Sequence, residues 1–206
     1  MRVLARRRTV ENALLSVRDL ACAAGGRRLF QGIDFDLAPG ELLEVRGPNG
    51  SGKTTLLRCI AGLFTEESGG VDIATDERPL YLGHKPGLSP MLTPLENLRW
   101  FLALQGREHP REDCLSALRE VGLEGLHQVP CRSLSAGQQR RAALARLKAG
   151  SARLWLLDEP FAALDASGRD MVRSLVGTQC GDGGAVVCAT HEELGVAGTR
   201  RLELAG

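Results

Sequence analysis

GPNGSGKT, residues 47–54, decides how the rest of this chain is read. It has the spacing Gly-x-x-x-x-Gly-Lys-Ser/Thr in full. A strand, ELLEVRG (41–47), leads into it, and TTLLRCIAGL (54–63) follows with Leu56, Leu57, Ile60 and Leu63 at helical spacing. Gly47, Gly50 and Gly52 let the backbone turn tightly, so that its N–H groups point into one hollow. The following helix aims its positive end at the same hollow. Lys53 is placed to reach β and γ phosphates, and the Thr54 hydroxyl to ligate magnesium. The chain is therefore expected to bind ATP or GTP through Gly47, Pro48, Asn49, Gly50, Ser51, Gly52, Lys53, Thr54 and Thr55.

A magnesium-bound triphosphate needs carboxylates, and RLWLLDEP (153–160) supplies two at the end of an apolar run. Acids at a buried strand end are costly without partners. Asp158 is expected to hold Mg²⁺ together with Thr54, and Glu159 to polarise an attacking water. AVVCATHEE (185–193) is a second apolar run ending in polar residues. Runs of this kind suit strands covered on both faces, hence a parallel sheet with its ligand at the carboxyl edge. ALLSVRDLACA (13–23) and LFQGIDFDLAPG (29–40) alternate and read as strands exposed on one face. Strands interleaved with helices give an α/β fold: a P-loop core with a mostly parallel sheet, a small antiparallel β region and a helical lobe.

At 206 residues, with 43% hydrophobic and 25% charged residues, the chain fits a single soluble domain. The core is expected over 13–85 and 151–206. Helical segments such as TPLENLRWFLALQ (93–105), CLSALREVGL (114–123) and AGQQRRAALARLKA (136–149) place the helical lobe at 86–150. MRVLARRRTVEN (1–12) reads as a flexible tail with no apolar run behind its arginines, unlike a secretory signal. A net charge of +1 argues against a nucleic-acid partner. Six cysteines without a CxxC pair read as reduced cytosolic thiols. Nothing approaches the apolar run of roughly 20 residues that a membrane-spanning helix needs.

LSAGQQRRAALARL (134–147) adds a second anion-binding helix start, with the Ser135 hydroxyl and free N–H groups at one point. GPNGSGKTT, LSAGQQRR, LLDEPFAALD and the isolated His191, in that order and over nearly the whole chain, resemble the ATP-binding subunit of an ABC transporter. The resemblance implies a head-to-tail homodimer holding two ATP molecules. Each would lie between the phosphate loop of one copy and Ser135, Ala136, Gly137 and Gln138 of the other. It makes His191 the histidine that touches the γ phosphate, and Asp165 part of a loop crossing the dimer. Ala136 stands where the family usually has glycine, and ACAAGG (21–26) lacks the aromatic that usually stacks on adenine.

YLGHKPGLSP (81–90) stands where the family carries a glutamine loop, so His84 is assigned the glutamine's catalytic and sensing role; an imidazole both donates and accepts. With LSAGQQRRAALARL and LWLLDEPF, this stretch resembles the haem exporter ATPase subunits of the cytochrome c maturation (Ccm) system. The implied protein is a peripheral ATPase at the cytoplasmic face of the bacterial inner membrane. It would work with an integral membrane permease, and indirectly with haem, to export or release haem for cytochrome c assembly. Leu95, Leu98, Trp100 and Phe101 are the candidate permease-docking residues. Another small ABC exporter shares every motif except the His84 stretch. A soluble ABC ATPase acting on ribosomes or DNA is the alternative from a different class.

Overall fold

A computed structural model describes residues 12–106 and 109–205. The expected flexible tail therefore lies, apart from Asn12, outside the described residues. The described residues divide into two compact units: those within 12–81, 152–159 and 176–205 form the first, and those within 82–151 and 160–175 the second.

In the first unit, β1 (Leu15–Ala24) and β2 (Arg27–Leu37) form an antiparallel hairpin. Its two-residue turn is Gly25-Gly26, both at positive φ, as the tight turns matching strand twist require. β4 (Ser68–Ile73) pairs antiparallel with β1, completing a three-stranded sheet in the order β2-β1-β4. The second sheet runs β5 (Leu80–Leu82), β6 (Leu154–Asp158), β7 (Ala185–Ala189), β3 (Leu42–Arg46), β8 (Arg200–Glu203). Its β6–β7, β7–β3 and β3–β8 pairs are parallel. β6 and β7 are buried at every position, which is why their sequences are continuously apolar instead of alternating. The phosphate-loop helix α1 (Lys53–Ile60) follows β3. It stops earlier than its apolar spacing suggests: Gly62 N–H donates to the Cys59 carbonyl and Leu63 N–H to that of Arg58. These two bonds, with Gly62 at φ 67°, close the helix as a Schellman motif. Leu63, expected on the buried side, is thus 62% exposed.

The second unit carries α2 (Pro94–Leu104), α3 (Arg111–Glu120) and α4 (Ala136–Ala149). Both α2 and α4 open with a reciprocal cap: Thr93 with Glu96, and Ser135 with Gln138. α5 (Ala166–Gly181) begins in this unit and ends in the first; no helix was expected there from the sequence. Leu95, Leu98 and Leu102 face the interior of the second unit. This corrects the expectation that Leu95 and Leu98 line a docking surface, since Leu98 is 1% exposed while Trp100 is 56% exposed. Phe101 is half-buried, its ring 4.7 Å beneath the Arg146 guanidinium. Among the described residues, no helix is long and apolar enough to cross a membrane.

Candidate functional site

The phosphate loop lies between β3 and α1, and its three glycines answer different demands. A Cβ on Gly47 would stand 2.4 Å from the Leu204 carbonyl oxygen, and one on Gly52 would stand 2.9 Å from the Phe30 ring. Gly50 has open space around it and needs glycine for its φ of +81°. Lys53 folds back over the loop, its Nζ donating to the carbonyls of Gly47 (2.7 Å) and Pro48 (3.1 Å). Pro48, Asn49 and Gly50 are exposed, whereas Ser51 is buried and its Oγ has no hydrogen-bond partner. A buried hydroxyl without a partner, inside a ring of glycines and beside an ammonium, is a site made for an anion.

The end of β6 closes the site. Thr54 Oγ1 lies 2.9 and 3.1 Å from the two carboxylate oxygens of Asp158, which is 1% exposed. A hydroxyl and a buried carboxylate side by side form the oxygen donor set that Mg²⁺ prefers, so these residues fit the ion. The next residue, Glu159, takes φ +48°, a strained value for a non-glycine residue. Its N–H donates to the Ala189 carbonyl at 2.8 Å, holding the chain against the end of β7. Glu159 Oε1 lies 3.5 Å from Nε2 of His191, just beyond β7. Thr55, in the first turn of α1, is half-buried. Lys53, Thr54, Asp158, Glu159 and His191, drawn from three separate stretches of sequence, therefore occupy the carboxyl edge of one sheet.

The second unit holds the remaining candidates. Ser135 Oγ accepts from the Gln138 N–H (3.2 Å), and Gln138 Oε1 accepts from the Ser135 N–H (2.9 Å). Ser135 and Ala136 are exposed at the tip of α4. A Cβ on Gly137 would come within 2.9 Å of the Ala163 carbonyl, so the helix tip and the loop before Asp165 are packed backbone to backbone. Asp165 accepts from Gly168 N–H, Ser167 Oγ and Arg141 Nη2. The Gly168 amide, then Ser167 and Arg141, hold its carboxyl below the usual aspartate range.

His84 presents an exposed imidazole on the loop after β5. Sequence reading missed what holds that loop. Arg140, 2% exposed on α4, donates to the carbonyls of Gly83 (2.8 Å), His84 (3.4 Å) and Pro160 (3.3 Å). Two turns further along α4, Arg146 donates to the carbonyls of Gly87 (2.7 Å) and Pro86 (3.3 Å). Burial lowers the Arg146 pKa to about 10. Arg140 and Arg146 stand on α4 among other polar and charged residues, Gln138, Gln139, Arg141 and Lys148, a pattern that names no acceptor.

A strand, a glycine loop with its lysine, a helix and a strand-end Asp–Glu pair define a P-loop ATPase, and the Ser135-led tip of α4 adds the mark of the ATP-binding cassette class. The family described as ABC transporter matches residues 30–162. A curated relative, the cytochrome c biogenesis ATP-binding export protein CcmA of Pseudomonas syringae pv. syringae, is 43% identical over 203 residues, covering 92% of this chain and 94% of its own. The protein of the same name from Hahella chejuensis is 44% identical over 207 residues, covering 95% and 98%. Among solved structures, the dimeric bacterial ABC transporter cassette MJ0796 aligns with a TM-score of 0.80 at 26% identity, covering 92% of this chain and 94% of that one. The chain belongs to the ABC transporter family, and within it to the cytochrome c biogenesis ATP-binding export proteins. It is an ATPase of that type, and ATP is its nucleotide.

Proposed function

We propose that this ATPase works as a homodimer on an integral membrane permease, at the cytoplasmic face of the bacterial inner membrane. There it couples ATP binding and hydrolysis to haem export or release for cytochrome c assembly. The reading as an export ATPase for cytochrome c biogenesis is supported by the names and 43–44% identity of the relatives. The dimer reading is supported by the likeness to a dimeric cassette and by the exposed tip of α4, an anion-binding helix start that its own cap leaves facing solvent.

The observation that carries the catalytic reading is Thr54 against the buried Asp158 carboxylate, with Glu159 as the next residue and its carboxylate turned toward His191. The phosphate loop N–H groups, Ser51 Oγ and the Lys53 ammonium bind the triphosphate, with Lys53 exchanging the Gly47 and Pro48 carbonyls for phosphate oxygens. Thr54 and Asp158 would hold Mg²⁺, which when bound neutralises charge on the phosphates. Glu159 accepts a proton from water while the water oxygen bonds to the γ phosphorus and the bond to the β–γ bridging oxygen breaks. His191 steadies the γ phosphate and the Glu159 carboxylate. Ser135, Ala136, Gly137 and Gln138 of the second copy close on the same phosphate, and Asp165 lies on the loop crossing between copies. His84 takes the sensing role of the family's glutamine.

Trp100 and Leu104, both exposed and four residues apart on α2, are the apolar side chains offered to the permease. The test is affinity isolation from detergent-solubilised membranes, with a pigment spectrum and assay of holocytochrome c in cells lacking the gene. A membrane partner and lost holocytochrome c are expected. Recovery of ribosomes or DNA, or normal holocytochrome c, overturns the reading. In the same preparation, Glu159→Gln should retain ATP and abolish turnover, and undiminished turnover refutes the role given to Glu159.

A further inference from the structure

β3 is a central strand with parallel neighbours on both sides, and its middle residue is a carboxylate, Glu44, with 1% of its surface exposed. An apolar residue would be the cheaper occupant, since a buried carboxylate is unfavourable unless its oxygens are bonded. Both are. Oε2 accepts from Arg46 Nε (3.1 Å) and Nη2 (2.7 Å), and Arg201 Nε stands 3.5 Å away. Oε1 accepts from a backbone amide, Leu194 N–H, at 2.9 Å. Leu194 ends the short loop that carries His191.

That loop is pinned at both ends by β3. At its start, Thr190 N–H donates to the Val45 carbonyl (3.3 Å), and Thr190 Oγ1 accepts from Glu192 N–H (3.0 Å). At its end the Glu44 carboxylate holds the Leu194 amide, the backbone tie from β3 to this end of the loop. Glu193, between them, faces Arg201 (2.5 Å) and Arg46 (3.9 Å), the same two arginines that neutralise Glu44. Glu44 thus joins the strand entering the phosphate loop to the loop presenting His191, with its charge balanced and its second oxygen free to hold the amide.

We propose that Glu44 is a positioning residue for hydrolysis, setting where His191 stands against Glu159. This rests on the role given to His191 above. A displacement of about 1 Å in a group at the reacting centre costs up to about 100-fold in rate. Loss of one of the two ties is expected to cost about tenfold in kcat, with ATP affinity changed less than about twofold.

The experiment uses the full chain isolated with its membrane partner. Glu44→Asp keeps the charge for Arg46 but withdraws the carboxylate from Leu194. Glu44→Gln keeps an oxygen at full reach and should restore most of kcat. Should Glu44→Asp fail to fold, Glu44→Leu takes its place. In a His191→Ala background, the Glu44 substitution should lower kcat no further. Because the chain has four histidines, the imidazole resonances of labelled protein supply a readout independent of turnover: in Glu44→Asp the His191 signal should shift while the other three stay. Additive losses in the double variant, or an unmoved His191 signal, overturn the positioning role and leave the His191 assignment standing. Wild-type turnover in His191→Ala overturns both.

Discussion

Replacing Gly47 and Gly50 separately with alanine tests whether the phosphate loop is built as described. Both residues have positive φ, +145° and +81°, so alanine at either pays about 1–2 kcal/mol for the left-handed side of conformational space. They differ in surroundings. At Gly50 the added methyl meets nothing within 4 Å. At Gly47 it would stand 2.4 Å from the Leu204 carbonyl and 2.8 Å from Ser51 Oγ. Reaching even a 3.0 Å separation from Leu204 requires a backbone movement of 3.0 − 2.4 = 0.6 Å. Overpacking of this kind typically adds about 1–3 kcal/mol, so Gly47→Ala should lose about 2–5 kcal/mol in all and Gly50→Ala about 1–2. For a chain of this size the gap corresponds to a Tm lower by roughly 2–12 °C in Gly47→Ala than in Gly50→Ala. Urea unfolding without nucleotide, followed by circular dichroism, should show a lower midpoint at unchanged slope. Equal destabilisation of the two variants, or a Gly47→Ala protein as stable as wild type, would refute the reasoning.

Leu98→Ala should cost about 2–5 kcal/mol in denaturant unfolding, since Leu98 is buried in the second unit. Trp100→Ser should stay within about 0.5 kcal/mol yet weaken recovery with the membrane partner. Arg140→Met strips cation-assisted bonds from the carbonyls of Gly83, His84 and Pro160 and should cost about 1–3 kcal/mol, with faster proteolysis in the His84 loop. Asp165 has a folded pKa below its ordinary value of 3.8, so the unfolded chain binds more protons between the two values. Its contribution is present above that ordinary value and is lost as pH falls through the folded one. The stability difference between wild type and Asp165→Asn should therefore shrink on acidification below about pH 4, and a difference that persists at lower pH contradicts the hydrogen bonding described.

The readable parts of this sequence were those where chemistry and backbone demand coincide locally. The glycine spacing of residues 47–54 states both a turn and a ligand class, and Ser135 with Gln138 states a helix start at the position found. β6 and β7 announced themselves by being apolar throughout, because both faces of the central sheet are covered. α5 went unread because Gly168, Gly177 and Gly181 dilute its pattern, although Val172 and Val176 are buried one turn apart. The apolar stripe of 95–101 has two uses at the sequence level, core and docking surface; packing of α2 against its neighbours took Leu95 and Leu98 for the core. Glu44 was not singled out, since nothing near it in ELLEVRG declares that β7 and β8 flank its strand and bury its carboxylate. Arg140 and Arg146 are blind spots of the same kind: their acceptors in the His84 loop, Gly83 and Gly87, lie 57 and 59 residues earlier in the chain, and those acceptors are backbone carbonyls, which any residue provides.

The most direct measurement of the central claim is the mass of Glu159→Gln protein loaded with Mg²⁺ and ATP, with its membrane partner present, by sedimentation or mass photometry. The account predicts two copies of the chain per assembly with two nucleotides retained, and dissociation when Ser135→Arg blocks the helix tip. A nucleotide-loaded species that keeps a single copy, or a dimer indifferent to Ser135→Arg, would contradict it.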